Sequence, residues 1–358
     1  MKKCLYLAEW NFSSGNGICN KILSQRNALN NLFHTDLCFL ESERVLFNEE
    51  VLIIKGNSLI GRILKYYFLF KKVKKQDYDL IYVRHINGFN SLLFYIFIQL
   101  LSSKTIVNIE VPTYPFSGEQ KNTPIAIGER ISRFIERKYK NRVSSITYMG
   151  SYTKEIWEIP AIKFDNGVNV EDFQLIAGNK IENDLHVIGV GSLDFWHGYD
   201  RAIEGIAQSK RNVFLHIVGE GTELDNLKKQ SLKLGLEKNV KFYGKLHSKA
   251  LDDVFKKCHI AIDSLGRHRS GNEVNSSIKS KEYTARGIPF IQSHIDEVFN
   301  DTNFVFKVPS DDSPINFDII SDWYVRAKTS PSDIREFAKK NLEWSRQFHK
   351  LLNFYNSL

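Results

Sequence analysis

Short apolar runs alternate with longer segments of helical period along the whole chain. In the first half the runs 3–9, 35–41, 50–55, 80–85, 105–110, 145–149 and 161–164 read as strands. Between them, 18–32, 61–75, 90–101 and 123–142 read as helices. The last of these gathers Ile127, Ile131, Phe134, Ile135 and Tyr139 on one face, with Glu129–Arg133 and Glu136–Lys140 pairs outside. The second half repeats the alternation, with strands at 185–190, 213–218, 240–243, 260–263, 289–292 and 304–308 and helices at 199–208, 223–234, 249–257 and 277–286. Continuously apolar strands separated by helices predict parallel sheets covered on both faces. Two such sets predict two doubly wound, Rossmann-like α/β domains, joined near 166–173 and facing a cleft. Ligands in such sheets bind beyond the carboxyl ends of the strands. A last amphipathic stretch, 332–355, carries Trp344, Phe348, Leu351 and Leu352.

The length, 358 residues, exceeds what one core usually organises, which agrees with two domains. Apolar residues at 42 % exclude a disordered chain. Cys4, Cys19, Cys38 and Cys258 form no CxxC pair, which argues against zinc ribbons and thioredoxin chemistry and suits a reducing compartment. The start is too soon acidic, at Glu9, for a signal peptide, and the longest apolar run, 92–101, falls short of a membrane span. The expectation is a cytoplasmic protein, soluble or peripheral at the inner face of the membrane. Residues 1–170 hold 23 Lys and Arg against 15 Asp and Glu, and the remainder 26 against 26. The whole excess of +8 therefore lies in the first half and suggests an anionic partner there. The segment 65–75, aromatic and lysine-rich, could lie on anionic lipid or be an ordinary core helix with a solvated lysine face.

Candidate chemistry collects at strand ends. The first strand leads through Gly15 and Gly17 into a helix, a turn that either lets a phosphate approach or merely reverses the chain. Gly189 and Gly191 end a strand, but Asp194 stands where a dinucleotide fingerprint needs its third glycine, which argues against an NAD enzyme. Gly219 and Gly221, then Gly244 after Tyr243, end two more strands, and three glycine rims in one domain favour a nucleotide-sized ligand. The densest segment runs from Asp263 to Pro289 and contains Arg267, His268, Arg269, Glu273, Lys279 and Glu282. Ser276 and Ser277 can cap the helix that starts at Ile278. Its N-terminus with Lys279 can bind a diphosphate, and Glu282, a turn on, can accept the hydroxyls of a ribose.

In order and spacing, Asn166 through Phe173, the Gly191…Trp196-His197-Gly198 turn, Val218-Gly219-Glu220-Gly221, Tyr243-Gly244 and Lys279…Glu282 through Pro289 resemble the family 4 glycosyltransferases. The resemblance implies the GT-B fold, with 1–170 as an acceptor-binding domain, 171–335 as a nucleotide-sugar-binding domain and 336–358 as a helix packing back on the first. It implies metal-independent, retaining transfer from a nucleotide diphosphate sugar, a UDP-sugar as co-substrate with no other cofactor. By position Glu282 matches the ribose-binding glutamate, Lys279 a lysine beside the phosphates, and Gly15 and Gly17 the first-domain loop that approaches them. Ser192 and His197 stand where the family has a basic pair, so Arg267, Arg269 and Lys279 are expected to supply the charge. Glu273 and Glu282 are separated by eight residues where the family has seven. Glu110 occupies the place of a functional histidine, and with Glu273 and Lys279 it is a catalytic candidate. The segment Glu110 through Pro115 looks like a subgroup that builds bacterial surface polysaccharides, such as capsule, O-antigen or exopolysaccharide, on a saccharide acceptor carried by a lipid diphosphate. Two other readings stay open: a sugar-nucleotide epimerase on the same scaffold, and a non-catalytic nucleic-acid binder. The second lacks any nucleic-acid-reading motif, and no nucleic acid partner is expected.

Overall fold

The computed structural model describes residues 2–13, 17–48, 50–54, 58–114 and 127–357. They form two compact units. One takes the described residues through Asp165 together with those from Trp344 onward, the other Asn166–Glu343.

The first unit is built from β1 (Lys3–Ala8), α1 (Gly17–Asn30), β2 (His34–Leu40), β3 (Arg44–Phe47), β4 (Glu50–Ile53), α2 (Leu59–Lys74), β5 (Leu80–Arg84), α3 (Asn90–Gln99), β6 (Ile106–Tyr114), α4 (Ile127–Glu136), β7 (Ser145–Gly150), β8 (Glu155–Ile156) and β9 (Ile159–Lys163). Its sheet has the order β4-β3-β2-β1-β5-β6-β7-β9-β8, and every pairing is parallel except β2–β3, β3–β4 and β8–β9. Successive side chains of β1 point to opposite faces. Leu5 and Leu7 join Leu69 of α2, Phe94 of α3 and Ile135 of α4, while Cys4, Tyr6 and Ala8 join Ile22 and Leu29 of α1. The three helices α2, α3 and α4 therefore cover one face and α1 the other. All four cysteines are buried.

The second unit runs β10 (Asp184–Val190), α5 (Tyr199–Gln208), β11 (Asn212–Val218), α6 (Leu224–Lys233), β12 (Val240–Phe242), α7 (Ser248–Phe255), β13 (Ile260–Ile262), α8 (Ile278–Ala285), β14 (Phe290–Gln292), β15 (Val305–Lys307), α9 (Phe317–Ala327) and α10 (Pro331–Asn341). Its sheet is wholly parallel in the order β12-β11-β10-β13-β14-β15. The chain winds outward one way from β10 and the other way from β13, so the crevice of a doubly wound sheet opens between the ends of these two strands.

Three elements were not expected. β3 and β8 are antiparallel additions of four and two residues, too short to show a period. α9 follows a Pro-Ser-Asp-Asp-Ser-Pro stretch that reads as loop, yet Asn316 caps it, its side chain accepting the Ile319 N–H at 3.1 Å, and Phe317 and Ile320 are buried. The stretch 332–355 is two helices. In α10, Ile334 and Ala338 belong to the second unit's core. The chain is then pinned where Val168 N–H donates to the Leu342 carbonyl (2.8 Å) and Val170 N–H to the Glu343 carboxylate (3.3 Å). Only α11 (Trp344–Asn356), through Trp344, Phe348 and Leu351, packs in the first unit, so the returning segment starts at Trp344 and not at 336.

Candidate active site

Lys279, Ser277 and the start of α8, expected to hold a diphosphate, lie at the switch point of the second unit. β10 is followed by Gly191, whose φ of +140° suits only glycine and whose added Cβ would stand 3.5 Å from Cδ of Lys279. Asp263, directly after β13, is fully buried. Its Oδ1 accepts the Ser264 N–H (2.8 Å) and the Ser277 hydroxyl (2.9 Å) and lies 3.2 Å from Lys279 Nζ. Its Oδ2 faces His294 Nε2 at 3.6 Å. Burial alone would push this carboxyl up, but Lys279 first, then His294 and the Ser277 hydroxyl, hold it well below the usual range. Burial also draws Lys279 down to about 8, against the pull of Asp263, so the ammonium keeps its charge at neutral pH. His294 is drawn by burial to about 4 and is neutral.

Two further groups complete the arrangement. Tyr283 accepts the Val190 N–H (3.3 Å) and donates to the Ile262 carbonyl (3.1 Å), tying α8 to the ends of both β10 and β13. Ser277 is the N-cap residue of α8, but its hydroxyl serves Asp263, so no side chain caps the first-turn N–H groups at Ile278 and Lys279. Ser276 is committed as well: its hydroxyl accepts the Asn166 N–H (2.9 Å) and its carbonyl the Asn166 amide (2.5 Å). An anion at this point would meet peptide N–H groups, the positive end of a helix and one ammonium. One turn on, Glu282 is half-buried with no side-chain hydrogen bond among the described residues. Burial raises it to about 7, with Arg286 pulling the other way.

Elsewhere the expectations change. A Cβ on Gly219 would lie 1.8 Å from the Gly191 carbonyl oxygen, and one on Gly221 2.4 Å from the Leu193 nitrogen. These glycines let the strand-end loops pack on one another, whereas Gly191 and Gly244 have no backbone atom against them. The Ser192 hydroxyl is exposed and donates to Asp194 (2.7 Å). His197 is buried, and burial, Lys279 and Arg267 keep it neutral. Its Nδ1 accepts the Asp194 N–H (3.3 Å), which leaves the proton on Nε2 as a donor. The Tyr243 hydroxyl is paired with His216 Nδ1 (2.8 Å). Arg269, expected to supply charge to a phosphate, is instead held by both oxygens of Asp200 (2.9 and 2.7 Å) and by Asp312 (2.7 Å). Arg267 is half-buried, and its charge reaches Lys279, His294 and His197. The Glu273 side chain is exposed, and its backbone carbonyl accepts the Ile295 N–H (2.7 Å).

In the first unit, Gly17 opens α1 with free space around it, and Gly15 lies outside the described residues. Glu110 does not end its strand, because β6 continues to Tyr114. It is wholly buried, 2.8 Å from Lys21 Nζ and 3.6 Å from Arg84, and it accepts from Gln25 (3.0 Å), Tyr82 (2.9 Å) and Tyr6 (3.4 Å). With five donors already around it and no exposed surface, Glu110 anchors the interior and is not poised to touch a substrate. A separate cavity of about 520 Å³ lies beyond the ends of β1 and β2, where Glu9, Trp10, Glu41 and Arg62 line it. Among the described residues, no three His, Cys, Asp or Glu side chains gather to hold a metal ion.

Asp263, Ser264 and His294 are site residues that the sequence did not single out. The available signal was an acid placed directly after a short, wholly apolar strand.

Residues 171–314 match the family model of "Glycosyl transferases group 1". No curated protein matches the chain. Among solved structures, it is similar to sucrose-phosphate synthase of Thermosynechococcus elongatus (12 % identity, TM-score 0.68, covering 100 % of this chain and 99 % of that one). It is similar to a glycosyltransferase of Rickettsia africae (14 %, 0.69, 99 % and 98 %). It is also similar to HepE of Anabaena in complex with UDP (14 %, 0.67, 100 % of both). At these identities the likeness shows the fold, which is that of the GT-B glycosyltransferases.

Proposed function

We propose that this chain, whose residues 171–314 match the glycosyl transferases group 1 model, is a glycosyltransferase that moves a hexose from a UDP-sugar to a saccharide acceptor with retention of configuration and without a metal. The observation that carries the reading is the convergence of Gly191, Lys279 and the uncapped start of α8 at the switch point, with the unpartnered Glu282 one turn away. The diphosphate would sit against Gly191, where the lack of a side chain lets it reach the α8 N–H groups and Lys279, and Glu282 would accept the ribose hydroxyls. UDP is chosen as the nucleotide because HepE, a protein of the same fold, was solved with it.

The reaction breaks the bond between the sugar C1 and the β-phosphate oxygen. The acceptor hydroxyl oxygen bonds to C1 on the same face, and its proton passes to the departing diphosphate. Negative charge grows on that diphosphate as C1 gains oxocarbenium character. Lys279 and the α8 dipole are groups of this chain that can oppose it. The cavity by Glu9, Trp10 and Arg62 offers hydroxyl acceptors, an apolar ring face and a cation, a set suited to a saccharide acceptor. The finer reading, an acceptor on a lipid diphosphate at the cytoplasmic membrane face in bacterial surface-polysaccharide synthesis, rests on the sequence resemblance and the basic first half.

A thermal-shift series with UDP, GDP and dTDP tests the donor. A ligand at a hundredfold its Kd adds about 2.7 kcal/mol, and UDP is expected to give the largest rise in Tm. Product analysis with UDP-hexoses and saccharide acceptors then tests transfer. No stabilisation by any of the three, or epimerised donor without a transfer product, would overturn the reading.

The pH profile follows from the two site groups. Glu282, near 7, must be ionised to accept ribose hydroxyls fully, and Lys279, near 8, must be protonated to face the diphosphate. Affinity for a UDP-hexose, whose diphosphate does not titrate near neutrality, is expected to peak between pH 7 and 8. At pH 6 it should be weaker by about tenfold, the fraction of Glu282 still ionised a unit below its pKa. Glu282→Gln, which accepts at any pH, should flatten the acid limb and leave the alkaline one, as titration calorimetry across the range would show.

A further inference from the structure

The outer faces of α2, α3 and α4 are built the wrong way round for water. On α2, Tyr66, Leu69 and Val73 face the sheet. The outward positions, at helical spacing, are Leu59, Ile60, Ile63, Leu64 and Tyr67, exposed by 48–71 %, followed by the exposed Lys71 and Lys74. A surface helix normally carries polar residues on that side. α3, which packs between α2 and α4, adds Ile96 (48 %) and Leu100 just past its end (58 %). α4 presents Phe134 (63 %) beside the exposed Arg130 and Arg133, with Arg137 and Lys138 just beyond and Lys138 Nζ 5.5 Å from the Phe134 ring. No described, exposed position on these three helices is Asp or Glu.

This arrangement differs from the sequence reading of 65–75. Lys65 is buried, its ammonium donating to the carbonyls of Glu41 and Ser42, and Tyr66 points inward. The outward apolar residues are mainly aliphatic and lie in the helix's first half.

We propose that this face docks on an anionic phospholipid surface, with Leu59, Ile60, Ile63, Leu64 and Tyr67 entering the headgroup boundary and Lys71, Lys74, Arg130 and Arg133 meeting lipid phosphates. Exposed aliphatic surface of this extent on one layer is uncommon in a monomer and gains free energy only when covered. The surrounding cations select an anionic cover, and a bilayer supplies both parts at once. A second copy would bring the same positive charge to the contact. A nucleic acid would satisfy the cations and leave Leu and Ile in water. No helix among the described residues is long and apolar enough to cross the membrane, so the docking is peripheral. The inference deepens the membrane placement proposed above and requires no sugar chemistry.

The test is co-sedimentation of the full chain with phosphatidylcholine vesicles, with and without phosphatidylglycerol, read beside the UDP thermal shift. Binding is expected only with phosphatidylglycerol and should weaken with salt. Ile60→Ser with Ile63→Ser, and separately Lys71→Glu with Arg133→Glu, should each lower partitioning about tenfold or more. All four positions are solvent-exposed and distant in the chain from the donor site, so the UDP shift should be unchanged. Three results would overturn the proposal: no sedimentation with anionic vesicles; a serine variant that binds like the parent while the charge variant does not; or a parent chain that is dimeric in solution and made monomeric by the serine pair. Vesicle binding without a UDP shift in the parent would sink the donor reading and leave this one standing.

Discussion

Replacing Lys279 by Ala is expected to lower kcat for sugar transfer by about 10²–10³-fold, the usual loss when one preorganised group facing developing negative charge is removed. Among the described residues, Lys279 is the one ammonium placed against both Gly191 and the first turn of α8. Arg269 cannot replace it, because Asp200 and Asp312 already hold its guanidinium. His197 cannot replace the charge, because it is neutral. The substitution has a second consequence. Asp263 loses its nearest cation while fully buried, so the second unit should also lose stability. The two effects separate in the pair Lys279→Met with Asp263→Asn. That variant removes both charges at nearly constant volume and should recover most of the Tm without recovering kcat. If the pair regained turnover as well, Lys279 would be a structural partner of Asp263 and not a group that acts on the leaving diphosphate.

The parts of this site that could be read in the sequence lie on one continuous segment. Lys279 and Glu282 are three residues apart on a helix, and the apolar strands before them fix where that helix begins. What could not be read depends on residues far apart in the chain. Arg269 looked free because its partners, Asp200 and Asp312, are 69 and 43 positions away. Glycine at three strand ends reads as close approach by a ligand, yet an added Cβ on Gly244 would meet nothing nearer than Glu220 Oε1 at 3.9 Å. At Gly219 and Gly221 the approaching group is the protein's own backbone. Helical periodicity likewise showed an amphipathic α2 without showing which side is inward, since both sides carry apolar residues. The long final stretch hid its break, because the pinning groups, Val168 and Val170, come from the opposite end of the second unit.

Glu110 provides the other large expected effect, and it separates an anchoring role from a catalytic one. Glu110→Ala leaves Lys21, 4 % exposed, and Arg84, 13 % exposed, without the carboxylate that compensates them. Breaking one partner of a buried ion pair costs about 3–5 kcal/mol, because the remaining charge stays desolvated. For a unit of this size that corresponds to a fall in Tm on the order of 10 °C. Three hydrogen bonds from Gln25, Tyr82 and Tyr6 are lost with it, and each donor is itself buried. Adding Lys21→Met should restore part of the loss, since the methionine fills the space against Trp344, now 5.5 Å from the ammonium, without a charge to satisfy. Transfer by the Ala variant, assayed well below its new Tm, should remain within a few-fold of the parent. The opposite pattern, an unchanged Tm with transfer abolished, would mean that the carboxylate reaches the reacting sugar and that the interior opens to admit it.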